Sequence, residues 1–225
     1  WGGGNIGKLA QITNSTKLYS SPVQIPGDWR SLARASYASV FATKSDGTLW
    51  GWGRNADGQL GQNSINTPSY SGPSSPVQIP GTTWTSLVVG NDNVTATKTD
   101  GTLWGWGANT NGELGQNNRT DYSSPVQVPG TTWPTSGEWK LNDGNDFGGA
   151  IKTDGTLWLW GSNGTGELGQ NNLTKYSSPV QVPGTSWSKI GGHGAPMVIR
   201  TDGTLWVWGS NYRGSLGLNE GPGGP

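Results

Sequence analysis

The side chains able to do acid–base or nucleophilic chemistry are few and scattered. The chain has one histidine, His193, and no cysteine. A Ser-His-Asp site would have to use His193, and no Gly-x-Ser-x-Gly elbow is present to hold a serine for attack. Zero cysteine removes thiol nucleophiles, disulfides and thiolate metal sites together. The stretch best suited to a metal is Asn142-Asp143-Gly144-Asn145-Asp146, where Asp143 and Asp146 bring oxygen ligands close enough for Ca²⁺. It lacks the loop spacing and closing Glu of a calcium hand, so a polar turn is the preferred reading. No Walker-type phosphate loop occurs, and the Gly-x-Gly fragments open no helix. The remaining Ser and Asp sit at turn positions, where such side chains cap backbone groups. These residues point away from an enzyme, and neither a metal nor a cofactor is expected.

The elements around them form a repeat, which is the first thing to establish in such a chain. Asp-Gly-Thr-Leu-Trp occurs at 46–50, 100–104, 154–158 and 202–206, in steps of 54, 54 and 48 residues. Ser-Ser-Pro-Val-Gln occurs at 20–24, 74–78, 123–127 and 177–181. Trp-Gly-x-Asn starts at Trp52, Trp106, Trp160 and Trp208, and Gly-x-Leu follows each time. The markers keep one order, so the period is a structural unit.

Each unit reads as strands. Asp-Gly between two β-rich runs predicts a two-residue hairpin turn with positive φ at both positions. Side chains alternate faces along a strand, so Trp104 and Trp106 share a face and Gly105 leaves room on the other. Trp84–Val89 supplies a strand before the hairpin, and Pro125–Val128 one after it. Proline belongs at an edge, because it cannot donate to a ladder. The prediction is an all-β chain of about four four-stranded antiparallel propeller blades. Hairpin markers fall at 46–53, 100–107, 154–161 and 202–209, and outer strands at 22–25, 76–79, 125–128 and 179–182. The last unit has no outer strand after it. The array is therefore either closed by the N-terminal strand, which would remove exposed edges, or part of a larger ring. A start at Trp1 without Met suits a processed chain or a piece of a longer one.

The 14 tryptophans follow the period. Trp50, Trp52, Trp104, Trp106, Trp158, Trp160, Trp206 and Trp208 are paired in the hairpins, and Trp29, Trp84, Trp133 and Trp187 follow the Pro-Gly step. Their expected role is structural, as layers between blades, since each buries roughly 150–250 Å².

These residues resemble the regulator of chromosome condensation repeat family. The match runs through Trp52-Gly53-Arg54-Asn55, Gly58-Gln59-Leu60-Gly61 and Pro76, and recurs in the next two units. The resemblance implies a β-propeller, seven-bladed in well-known members. The family's histidine position falls here on Ser39, Asn93, Phe147 and Ala195, and His193 lies two residues away from it. The near-verbatim repetition resembles bacterial and bacteriophage versions.

Binding residues are sought where the units differ. The loops after Trp-Gly contain Asn55 and Asp57, Asn109 and Asn111, Asn163, and Asn211, Tyr212 and Arg213. They are expected on the rim of a rigid scaffold, where binding functions concentrate. The 14 basic and 14 acidic residues form no stripe, which argues against nucleic acid as a partner. No run approaches the ~20 apolar residues of a membrane-spanning helix. The expectation is a non-catalytic phage-particle or bacterial surface module, in a virion or extracellular location, contacting protein or polysaccharide. Self-assembly or a place within a larger chain is part of that expectation. The alternative is a regulatory protein-binding propeller, such as the guanine-nucleotide exchange factor for a small GTPase known in the resembled family.

Overall fold

A computed structural model of the chain describes residues 2–3, 18–33, 39–66, 72–135, 140–144 and 146–219. Seventeen strands are described, all antiparallel to their neighbours. A ribbon pairs β1 (Gly2–Gly3) with β2 (Leu18–Tyr19). The first blade is β3 (Trp29–Leu32), β4 (Ser39–Lys44), β5 (Leu49–Gly53) and β6 (Val77–Ile79). The second is β7 (Trp84–Val89), β8 (Asn93–Lys98), β9 (Leu103–Gly107) and β10 (Tyr122–Val128). The third is β11 (Leu141–Asp143), β12 (Phe147–Ile151), β13 (Leu157–Gly161) and β14 (Tyr176–Gln181). The fourth has three described strands, β15 (Trp187–Gly191), β16 (Met197–Arg200) and β17 (Leu205–Val207). The strand β11 of the third blade approaches both β7 and β15, so the first strands of successive blades are innermost and the proline strands outermost. Pro125 and Pro179 lie on that outer edge, where a missing N–H breaks no ladder.

The turn between second and third strands differs from the expected two-residue form. Gly101 N–H donates to the Lys98 carbonyl at 3.1 Å, and Lys98 N–H donates to the Thr102 carbonyl at 3.0 Å. This is a three-residue loop, a type I turn closed by a left-handed glycine. Gly101 has φ +79°, and positive φ is not found at Asp46, Asp100, Asp154 or Asp202. The aspartate is better placed as an acceptor. Asp100 Oδ1 takes the N–H of Thr102 at 3.0 Å and its hydroxyl at 2.6 Å.

The expected outer strand at 22–25 is not a strand, since residues 22–26 join no ladder. The pairing Gly2↔Tyr19 has the register of Gly107↔Tyr122 and Gly161↔Tyr176. The ribbon therefore repeats the third-and-fourth-strand pattern at the N-terminal side of the first blade. No N-terminal strand pairs with β17 among the described residues.

The core lies between blades rather than within one. Phe41, Leu49, Leu60 and Ile79 of the first blade pack with Trp84, Val94 and Trp106 of the second. Leu103 and Val128 meet Trp133, Ala150 and Trp160 at the next junction. Phe147, Leu157, Leu159 and Leu168 meet Trp187, Ile190 and Val198 at the last. One cross-strand pair exchanges its volume between blades. Phe41 stands opposite Gly51 in the first, and Gly149 opposite Leu159 in the third. A Cβ on Gly51 would lie 2.9 Å from the Phe41 ring, and one on Gly149 would lie 2.5 Å from Leu159.

Candidate functional site

The repeated motif residues are occupied by the fold. In each blade the Asp-Gly-Thr-Leu-Trp segment makes one relay. The Trp104 indole N–H donates to Thr102 Oγ1 at 2.8 Å, and the Thr102 hydroxyl donates to Asp100. The same bonds recur at Trp50, Trp158 and Trp206. The threonine hydroxyl, then its backbone N–H, hold Asp46, Asp100, Asp154 and Asp202 below the usual carboxylate range. A cation completes the rim. Lys98 Nζ lies 4.7 Å and 4.1 Å from the rings of Trp84 and Trp104. Lys44, Lys152 and Arg200 lie over the corresponding pairs. Trp84 also touches Trp106, with centroids 5.7 Å apart, which confirms that Trp104 and Trp106 share a face.

The opposite ends of the same strands carry the loops that vary. Their asparagines were expected to face a partner. The structure instead buries Asn55, Asn109 and Asn163, which are 1%, 0% and 0% exposed. Asn109 Oδ1 accepts the Leu114 N–H at 2.9 Å, and its amide donates to the carbonyls of Asn118 and Thr120. Asn163 does the same with Leu168, Asn172 and Thr174. Asn55 accepts from Leu60 and donates to Ser64, and half-buried Asn211 accepts from Leu216. The cause is geometric. A wide loop needs an internal donor and acceptor for its main chain, and an amide supplies both.

The second recurring feature of this rim is a bond between blades. Trp106 donates its indole N–H to the Gln59 carbonyl, Trp160 to that of Glu113, and Trp208 to that of Glu167. Gly58 and Gly112 let these loops touch the next blade, because a Cβ on either would lie 2.6 Å from a serine Cα there. The indole bond joins parts of the chain whose sequence separation hides their contact, so the motif spacing alone gave no sign of it.

What remains at the loop rim is a set of varied, partly exposed side chains. Arg54 pairs with Asp57 and, across the blade boundary, with Asp92. Asn111 accepts from Lys175 of the next blade at 2.6 Å. Tyr212 is 71% exposed. For Arg213 and Asp143 the main chain is described, not the side chain. The local charge is acidic. Burial is the main cause that raises Asp57, with Asp92 and Asp121 adding to it against the pull of Arg54. Burial also raises Glu113, with a smaller push from Asp146. Asp146 is exposed, and among the described residues no three His, Cys, Asp or Glu side chains converge on a metal position. His193 is exposed. A cleft of about 480 Å³ between the third and fourth blades is lined by Lys140, Lys152, Asp154, Ser186 and Trp187 among others. Asp154 there is already bonded to Thr156.

Fold and surface together define a tryptophan-rich β-propeller array whose repeated residues are framework. The model of the regulator of chromosome condensation (RCC1) repeat matches residues 46–96, 100–134 and 154–191. These stretches make up more than half of the chain, which belongs to that family. The chain is 29% identical to the mitochondrial RCC1 domain-containing protein RUG3 of Arabidopsis thaliana, over 84% of its own length and 43% of the relative's. It is 32% identical to the protein RCC2 homolog of Xenopus laevis, over 68% and 29% respectively. It thus spans less than half the length of either relative. Prp20p of Saccharomyces cerevisiae superposes with a TM-score of 0.74 at 20% identity, over 94% of this chain and 53% of that one. At that identity the likeness shows the fold.

Proposed function

We propose that this chain is a non-catalytic protein-binding module of regulatory type, which engages its partner through the loop rim. One observation carries the reading: the residues that recur are used inside the blades, whereas those that differ between units present side chains at one end of the strands. The acid pairs at this rim favour a partner with a basic face. The study of Prp20p is titled for its binding to Gsp1p and histones, and proteins of those two kinds are the first probes. The expected result is saturable binding that Tyr212→Ala weakens about tenfold with the melting midpoint unchanged. Turnover of a substrate, or binding indifferent to every loop substitution, would overturn it. Accelerated nucleotide release would define an exchange factor.

A narrower form of the same proposal is a phage-particle or cell-surface module that contacts protein or glycan. Near-verbatim repeats support it. Copies in purified particles or surface fractions would establish it, and their absence there would remove it.

A further inference from the structure

The cleft between the third and fourth blades lies at the Asp-Gly turn end of the strands, away from the variable loops. Its chemistry departs from the repeat at one cross-strand pair. In the first two blades that pair is made of hydroxyl residues, Ser31↔Thr43 and Ser86↔Thr97. The Ser31 and Thr43 hydroxyls share a hydrogen bond of 2.5 Å, and Thr97 shares one of 3.1 Å with Thr85. In the third blade the pair is Lys140 and Ile151, with the Ile151 N–H donating to the Lys140 carbonyl at 2.9 Å. Isoleucine offers the lysine side chain no acceptor, and both residues line the cleft.

The charges there do not balance. Thr156 chiefly, with a smaller pull from Lys152, holds Asp154 below the usual carboxylate range. Lys152 and Asp154 thus offset each other. Burial alone lowers the Lys140 ammonium, and no carboxylate among the described residues counters it. The cleft therefore carries one positive charge in surplus. A partly buried charge without a partner costs folding free energy, and a bound anion would remove that cost. The other polar groups suit hydroxyls. Thr135, Thr153, Thr185, Ser186 and Thr201 line the cleft, and their hydroxyls have no hydrogen-bond partner among the described residues. Asp154 takes both bonds from Thr156 on Oδ1, which leaves Oδ2 as an acceptor. The volume of about 480 Å³ lies within the roughly 300–1,000 Å³ of small-molecule clefts.

We propose that this cleft binds a sugar acid, a ligand with one carboxylate and several hydroxyls. The carboxylate takes the Lys140 ammonium. The threonine and serine hydroxyls and Asp154 Oδ2 exchange hydrogen bonds with the sugar hydroxyls, since each hydroxyl both donates and accepts. Pro134, Ile151 and Trp187 supply the apolar wall. One negative charge matches the surplus, whereas a phosphate monoester brings close to two. The site is separate from the loop rim and does not rest on the protein-binding reading.

Titration of the chain with D-glucuronate, followed by NMR of the tryptophan indole N–H groups, tests this. The Trp187 signal should move saturably with a Kd of about 1 mM, while that of Trp84, in a blade whose hydroxyl pair is intact, stays in place. Glucose lacks the charge and acetate lacks the hydroxyls, so each should bind about tenfold more weakly or worse. Lys140→Gln should weaken glucuronate binding about tenfold or more without lowering the denaturation midpoint, because it removes a desolvated ammonium. Thr201→Val, at an exposed position, is the independent variant and should weaken it about threefold. The absence of a saturable Trp187 shift would overturn the proposal. So would equal affinity for glucose or acetate, or affinity that neither variant changes.

Discussion

The Trp160 indole N–H donates to the main-chain carbonyl of Glu113 at 2.6 Å, across the boundary between the second and third blades. The bond is fully buried, and its counterparts at Trp106 and Trp208 measure 2.7 Å and 2.8 Å. The Trp-Gly segments of the second, third and fourth blades are thereby fixed to a loop of the blade before. Trp160→Phe leaves that carbonyl without its donor and opens a small cavity. The expected loss is about 2–3 kcal/mol in chemical denaturation. Trp208→Phe should cost roughly half as much, because Trp208 is only partly buried. Equal losses at the two positions would contradict the assignment.

The exchanged volumes of the first and third blades make a paired test. Gly51→Leu alone drives a side chain into the Phe41 ring and should destabilise by about 2–3 kcal/mol. Phe41→Gly alone empties the junction and should cost about 3–5 kcal/mol. The double variant reproduces the Gly149–Leu159 pair, so it should recover more than half of the summed loss. A double-mutant cycle with no coupling would refute the complementarity.

Thr83 and Thr132 have φ +66°, and Ser186 has φ +69°, each directly before the tryptophan that follows the Pro-Gly step, Trp84, Trp133 and Trp187. This conformation is strained for a β-branched residue. It is imposed from outside, because Trp84 N–H donates to the Gly47 carbonyl and the Thr83 carbonyl accepts from Thr99. Thr83→Asn should therefore stabilise the protein by about 0.5–1 kcal/mol, since asparagine tolerates this region. A rise in the denaturation midpoint checks it, and a fall would show that the hydroxyl matters more than the strain.

Acid stability should have two opposing contributions. Asp46, Asp100, Asp154 and Asp202 titrate lower folded than unfolded, chiefly through the threonine hydroxyl. The stability they contribute is present above the unfolded carboxylate pKa and is lost as pH falls through their folded values. Thr48→Val and its three equivalents should flatten that acid limb. Glu113 is shifted upward by burial, so its ionised form opposes folding at neutral pH. Gln59 holds the same place in the first blade and accepts the Asp57 N–H. Glu113→Gln should raise the midpoint at pH 7, and the gain should shrink as pH falls through the raised Glu113 value.

The blade pattern was legible in the sequence because short-range rules govern it. Alternation put Trp104 and Trp106 on one face, and proline marked the outer strands. The Asp-Gly turn was placed correctly but given the wrong geometry. Sequence records that a glycine is needed at positive φ, and the threonine that draws Asp100 into an acceptor role acts through space. The rim asparagines misled for a related reason. A polar residue in a loop is usually at the surface, yet Asn109 turns inward to close the loop between Leu114 and Thr120. The bond from Trp106 to Gln59 spans 47 residues, and no local pattern announces it.

The central claim is that the recurring asparagines are framework and the varying loop residues beside them are surface. Asn109 and Thr110 are neighbours in one loop, the first buried and the second exposed. Comparing Asn109→Ala with Thr110→Ala by chemical denaturation tests the claim most directly. The predicted losses are about 2–4 kcal/mol for Asn109→Ala and within about 0.5 kcal/mol for Thr110→Ala. A neutral Asn109→Ala would contradict the account and return that side chain to the binding surface.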